Sequence, residues 1–538
     1  MTRIALPARR RALLSLALTA CCYSAIWPAV GFTQAAPPSV LRRGVFGEPE
    51  SLAPRESGVS GEWVMLRDLF EGLTTFTADG RIVPGAAESW TIAADGLRYT
   101  FRLRPGLRWS DGSALGADDF VFGWRRSLAP ATASARAARL YVLRGARAVH
   151  TGKADVASLG VHAPDPRTLI LDLEYPLPWL PQLLAGEEGF PLPRKAIERH
   201  GGAWTRAGNH VGNGAFLLAE RRARGSILLR RNPHFHDRER VALTAVEYVP
   251  SDDTRGLANR FRAGQLDVNG WPGFPAAMQP ALQAELKRQV HVGPIDSVRY
   301  LRFNTRRPPF DDSRVRMALS LAVDRSVLIN KVLRYGEQAS VRALPAGIPN
   351  DHRPASIDLE SGTQAERLAL ARSLLSAAGY RLKKPEPLRL RLPSGNGDEM
   401  GIAVAAMWGA VGAPARLEQS EIKSMIADLR RGDFDVALSG AQDSPAVESY
   451  LERFRVGSSY NTGGYANARF ESALDSALRL ADAAARAEAL NQAESILARD
   501  HAIVPLIQEV ARNLVATRVA GWVDNPMDIH LSRYLSLR

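Results

Sequence analysis

Cysteine is nearly missing from these 538 residues; there are two, Cys21 and Cys22, adjacent and close to the N-terminus. A fold stapled by disulfides is thereby excluded. Beyond the N-terminal segment no stretch approaches the roughly 20 apolar residues of a membrane span. Basic runs interleaved with aromatics are also absent. Although Lys and Arg outnumber Asp and Glu by 69 to 56, for a net charge of +13, Arg is scattered in pairs such as Arg230-Arg231 and Arg306-Arg307. That dispersal speaks against nucleic acid as a partner. The signatures of catalysis are missing too: no H-E-x-x-H zinc helix, no phosphate loop ending in Gly-Lys-Ser/Thr, no G-x-S-x-G elbow. Ser420-Glu421-Ile422-Lys423 has the S-x-x-K form, but its companion K-T-G and S-D-N motifs are not present. His234-Phe235-His236-Asp237 reads as a loop after the strand Ile227-Leu228-Leu229, because nothing nearby supplies further metal ligands in register. Gly212-Asn213-Gly214 is too short for a dinucleotide fingerprint and reads as a turn. These absences favour a binder over an enzyme.

What is present begins with a targeting segment. Arg3, Arg9, Arg10 and Arg11 form a positive start, residues 12–30 are nearly all apolar, and Thr33-Gln34-Ala35 offers small residues for cleavage. The expectation is a signal peptide over 1–36, cleaved near Ala35. Leu18-Thr19-Ala20-Cys21 has the form of a lipobox and gives the alternative, a lipoprotein anchored at Cys21. Arg10-Arg11-Ala12-Leu13-Leu14 also resembles a twin-arginine signal. The rest is 46% hydrophobic and 23% charged across the chain, the balance of a folded protein, and is long enough for two or three lobes.

After Pro37-Pro38 the pattern is mixed α/β without internal repeats. Leu97, Tyr99, Phe101 and Leu103 alternate with polar residues, which predicts a half-buried strand ended by Pro105-Gly106. Asp111-Gly112 makes the next turn, and Phe120, Trp124 and Leu128 recur one helical turn apart. Leu388, Leu390 and Leu392 repeat the strand pattern. Thr363 and Glu366 form a capping box ahead of Leu368, Ala371, Leu374, Leu375 and Ala378, with Gly379 as the stop. An Ala-rich segment between Asp482 and Asp500 places Leu490, Ala493 and Leu497 on one side of another helix.

Ordered blocks along nearly the whole mature chain resemble the family 5 solute-binding proteins, in particular their oligopeptide- and murein-peptide-binding branch. They run from Arg67-Asp68-Leu69-Phe70-Glu71-Gly72-Leu73 and Pro84-Gly85-Ala86-Ala87-Glu88-Ser89-Trp90 through Trp109-Ser110-Asp111-Gly112 and Asp119-Phe120-Val121-Phe122-Gly123-Trp124. Later ones are Gly212-Asn213-Gly214-Ala215-Phe216, Arg231-Asn232-Pro233, Arg302-Phe303-Asn304 and Ala322-Val323-Asp324-Arg325, with Asn525-Pro526-Met527-Asp528 near the end. Most of these residues have structural work. Trp90, Trp109, Phe120 and Trp124 are expected in cores and Asp324 at a helix cap.

The resemblance implies an α/β, two-lobed periplasmic binding protein (type II, Venus-flytrap) with an extra domain inserted in the first lobe. Lobe I would comprise 37–69, 195–300 and 510–538, the insert 70–194, and lobe II 301–509. It implies a monomeric, cofactor-free periplasmic receptor, not an enzyme, that captures short peptides for an ABC transporter permease, with no nucleic acid as partner. Peptide main chain would pair with Gly58 and Val59 of lobe I and with Gly440 of lobe II. Asp443 would take the peptide's ammonium, since a buried cation needs a carboxylate. Arg307 would meet the peptide carboxylate. Two departures stand out: Ala441-Gln442-Asp443-Ser444 is shorter than the family's Trp-Cys-Ala-Asp-Tyr run, and Ser51-Leu52-Ala53-Pro54 replaces Ser-Leu-Asp-Pro. Alternatives are another ligand on the same fold (murein peptide, opine, sugar or metal chelate) or an exported hydrolase using Ser424.

Overall fold

A computed structural model describes residues 39–56, 61–132, 134, 136–222, 225–346, 348, 361–380, 386–394, 398–441, 446–480 and 482–538. Its backbone is one 11-stranded mixed sheet that runs through both lobes. On the lobe I side, Val40–Phe46 pairs in parallel with Ala245–Ser251 and Val268–Asn269, and the hairpin Phe216–Arg221 and Ile227–Arg231 extends the edge. On the lobe II side, Leu388–Pro393 lies parallel to both Ala415–Ser420 and Val436–Ala441.

Two long antiparallel strands, Val290–Phe303 and Ile503–Val515, join these halves. Their register breaks between Pro294 and Val298, so that three residues, Ile295 to Ser297, oppose Glu509 alone. Such a bulge bends the strand that carries it. The hydrophobic cores divide at the same place. Val290 and Val292 pack with Leu257, Phe261, Leu282 and Leu514, whereas Leu301 and Phe303 pack with Leu390, Trp408 and Leu506. A further core on the opposite face of the lobe II sheet gathers Tyr300, Tyr450, Phe470 and Leu497. Covering both faces is what parallel strands require, since neither face tolerates water.

Residues between the helix Glu62–Leu69 and the strand Phe216–Arg221 carry a separate four-stranded antiparallel sheet in the order Ala87–Ile92, Arg98–Leu103, Thr168–Asp172, Val161–Asp165. Tyr99, Phe101 and Leu103 are buried and their neighbours Arg98 and Arg102 exposed, as period two dictates. Phe120, Trp124 and Leu128 are buried on the helix Ala117–Leu128, and the Trp124 indole donates to the Glu188 carbonyl at 2.7 Å. Each such fully buried large side chain contributes about 1.5–3 kcal/mol. The turn at Gly212-Asn213-Gly214 presses against the end of Glu62–Leu69. A Cβ on Gly212 or Gly214 would sit 2.2 Å from the Leu69 carbonyl oxygen or 2.4 Å from that of Asp68. The Asn213 side chain brackets Glu71, accepting from its N–H at 3.1 Å and donating to its carbonyl at 2.8 Å.

Candidate functional site

In open α/β sheets, ligands gather beyond the carboxyl ends of parallel strands. In lobe II that end is Gly440 and Ala441. On one side Val436–Ala441 pairs with Val298 to Phe303 along its whole length, Gly440 standing opposite Arg299. On the other side it pairs with Leu388–Pro393 only at Val436 and Ala437. Among the described residues, no strand pairs with that edge from Leu438 onward, and Gly440 is exposed. A free edge of this kind is what an extended chain can add to.

Beside Gly440 stands a charged group that the sequence pattern does not single out. Arg299 Nε donates to Glu509 Oε1 at 2.8 Å, and Ser297 Oγ donates to the other oxygen of the same carboxylate. A Cβ built on Gly440 would lie 3.7 Å from Arg299 Cδ, so the glycine leaves the arginine stem uncovered.

The strand Val40–Phe46 and the helix Glu62–Leu69 meet where Gly61 N–H donates to the Phe46 carbonyl at 2.9 Å. Arg55 anchors the segment that follows the strand. Its φ of 67° puts it in the left-handed region, and it is buried. Its N–H donates to Glu187 Oε2 at 2.9 Å and its Nε to Ser127 Oγ at 2.8 Å. Nη1 donates to the carbonyls of Glu187 and Phe190 at 2.5 and 3.0 Å. Burial pulls the guanidinium down to about 10, opposed by Glu188, Glu187 and Glu56. Arg136 and Arg139 compensate the two buried glutamates at 3.4 and 3.0 Å. The helix Ala117–Leu128, through Ser127, and the segment from Glu187 to Phe190 thus grip Arg55, three positions before Gly58 in the sequence. Arg55 carries no sequence signal of this role, because its partners lie 72 or more positions away.

Gly58, Val59 and Asp443 themselves lie outside the described residues. Arg307 is described, and the structure does not bring it to Gly440. It sits 3.7 Å from Asp435, at the opposite end of Val436–Ala441. At about 3.3 Å per residue, Asp435 is roughly 17 Å from Gly440. The Asp435 carboxylate also accepts from Arg389 Nη2 at 3.2 Å and from its backbone N–H at 3.2 Å. The pair belongs to a surface network at the amino end of the strand.

The remaining motifs resolve as structure. Ser420 ends a strand, and Glu421 caps the helix Ile422–Arg431 by accepting from the N–H groups of Lys423 and Ser424 at 2.9 and 3.2 Å. His236 bonds to Glu71 at 2.6 Å. Among the described residues no group of three or more His, Cys, Asp or Glu could hold a metal ion.

A family model, bacterial extracellular solute-binding proteins, family 5, matches residues 81–462. The chain belongs to that family. Among curated relatives it is 35% identical over 534 residues to the probable deoxycholate-binding periplasmic protein YgiS of Escherichia coli K12, covering 98% of each chain. To the periplasmic murein peptide-binding protein MppA of the same organism it is 34% identical, covering 92% of each. The solved structure of MppA superposes with a TM-score of 0.82, covering 93% of this chain and 99% of that one. Haemophilus influenzae OppA in complex with the peptide RPPGFSPFR gives 0.80 at 32% identity, with coverage of 93% and 99%. The family 5 architecture is two-lobed, and its members are binding proteins. Among the described residues no helix is long and apolar enough to cross a membrane.

Proposed function

We propose that this family 5 protein is the periplasmic receptor of an ABC importer, capturing short peptides between its lobes and delivering them to the membrane permease. The observation that carries the reading is the free, exposed strand edge at Gly440, at the carboxyl end of Val436–Ala441. Backbone pairing there recognises a peptide's main chain and leaves its side chains to looser, hydrated contacts. Gly58 and Val59 supply the matching main-chain groups from lobe I, on the segment that Arg55 holds. Asp443, three residues after Gly440, takes the peptide ammonium. Arg307, toward the other end of the strand, meets the peptide carboxylate. Lobe I is formed by 37–69, 195–300 and 510–538, the insert by 70–194 and lobe II by 301–509, consistent with the division of the cores at the bulge. The N-terminal segment directs export, and the mature monomer needs no cofactor and performs no catalysis.

Asp443→Ala should weaken peptides with a free N-terminus by about 2 kcal/mol or more, the cost of an unpaired buried charge. Calorimetry with free and N-acetylated forms of one peptide reads this directly, and equal affinity of the two forms for the unaltered protein would remove Asp443 from the site. The ligand class is read by native mass spectrometry of what the purified protein retains. Mixed peptides support the reading, and one defined non-peptide compound overturns it. A second reading, a steroid carboxylate, is favoured by the YgiS match over 98% of both chains. Titration with deoxycholate tests it.

A further inference from the structure

The Arg299–Glu509 pair does more than join two strands. A guanidinium has two parallel N–H groups that match a carboxylate, and a pair made through Nε leaves the outer fork for a second acceptor. Here Glu509 takes Nε, and Ser297 fixes the glutamate from the other side. Nη1 and Nη2 of Arg299 donate to no described residue, and the side chain keeps 22% of its surface exposed. Glu509 is similarly placed at 24%. The two amino groups therefore remain available beside the free strand edge, held in orientation by a fully engaged carboxylate. The glycine at 440 keeps that approach clear, since a larger side chain there would lie over Arg299 Cδ and Nε.

From this geometry we infer that Arg299, oriented by Glu509 and Ser297, receives a carboxylate of the ligand beside Gly440, so that the receptor selects anionic ligands. Taken with the proposed peptide reading, on which this form of the inference rests, those ligands are acidic peptides. Closing the lobes over the site removes water from the fork. A ligand without an anion then leaves two charged N–H pairs desolvated, whereas a carboxylate satisfies both. Lysine would replace it only in part, because a single ammonium keeps the charge but offers neither the planar fork nor the fixed Nε contact to Glu509.

The test is calorimetry of the purified protein with Ala-Ala-Ala and the six tripeptides carrying Glu or Gln at each position in turn. At one position Glu should bind about tenfold tighter than Gln, the worth of one charge-assisted contact. Arg299→Gln should bring that ratio to about one while Ala-Ala-Ala stays within about threefold, and Arg299→Lys should keep part of the preference. Thermal unfolding of each variant establishes that it is folded. A preference that survives Arg299→Gln, no preference at any position, or an equal loss for all peptides in both variants overturns the assignment. If no tripeptide binds the unaltered protein, the peptide reading fails, and deoxycholate becomes the probe. Its loss in Arg299→Gln supports carboxylate recognition, and unchanged binding overturns it.

Discussion

Asp296 stands where the two long strands Val290–Phe303 and Ile503–Val515 break register. It is the middle of the three bulge residues. Its N–H donates to the Pro526 carbonyl at 2.7 Å, and its carbonyl accepts from the Tyr450 hydroxyl at 2.5 Å. Gln508, on the facing strand, donates to the Ile295 carbonyl at 3.0 Å and so holds the preceding bulge residue. The backbone of the bulge is thus well satisfied, but the Asp296 side chain is buried with Oδ1 unpartnered. Burial alone pushes its carboxyl up to about 6. Because that value lies above the ordinary carboxylate range, the unfolded chain gives up the proton before the folded one does. The contribution of Asp296 to stability is full below about pH 4 and is lost as pH rises through about 6. Asp296→Asn should therefore leave stability nearly unchanged at about pH 4 and raise it by about 1–3 kcal/mol at about pH 7.5. Urea unfolding at the two pH values measures the difference. An equal effect at both would mean that the carboxylate is not desolvated in the folded protein.

Among elements, the helices announce themselves and the long strands do not. The capping box of Gln364–Ala377 forms as its sequence specifies: Glu366 N–H donates to Thr363 Oγ1 at 3.3 Å, and Thr363 N–H to Glu366 Oε2 at 2.6 Å. Thr363→Ala should cost about 1 kcal/mol in urea unfolding, and a helix that ignores the change would show that its packing alone sets its start. Asp324 and Asp482 likewise cap their helices, accepting from Val327 and Ala485. The strands Arg98–Leu103 and Leu388–Pro393 are legible by alternation. Val290–Phe303 is not, because its faces change environment at the bulge and its partners come from residues about 200 positions later. The site divides in the same way. Gly440 is readable from local pattern and resemblance. Arg299 looks like one more solvent-facing arginine until the pairing with Glu509 gives its surroundings, and only the contact with Asp435 shows which end of the strand Arg307 occupies.

For the whole molecule, Tyr99 and Tyr175, in the region of the four-stranded sheet, feel the charges of a region far along the chain, around Glu448, Glu452 and Arg486. Burial and Glu452 push the Tyr175 hydroxyl upward, while Arg455 and Arg147 pull it down. Arg486 of lobe II acts on Tyr99 of the insert in the same way and pairs with Glu448 at 3.4 Å. Burial raises the Glu452 carboxyl to about 7, which marks this contact as poorly hydrated. Glu448 lies on the short helix Val447–Leu451, and Glu452 opens the 3-10 turn that continues it. A contact between protein groups that favours the closed arrangement helps every ligand by the same factor, because it changes the population competent to hold them and not their individual interactions. Tyr175→Ala should therefore raise Kd by one common factor, about three- to tenfold, for neutral and acidic ligands alike. Calorimetry across the same tripeptides measures it, and small-angle scattering should show a smaller compaction at a given ligand concentration. Arg299→Gln should instead act on acidic ligands alone. If Tyr175→Ala discriminated between peptides, Tyr175 would be touching the ligand, and closure would be held elsewhere.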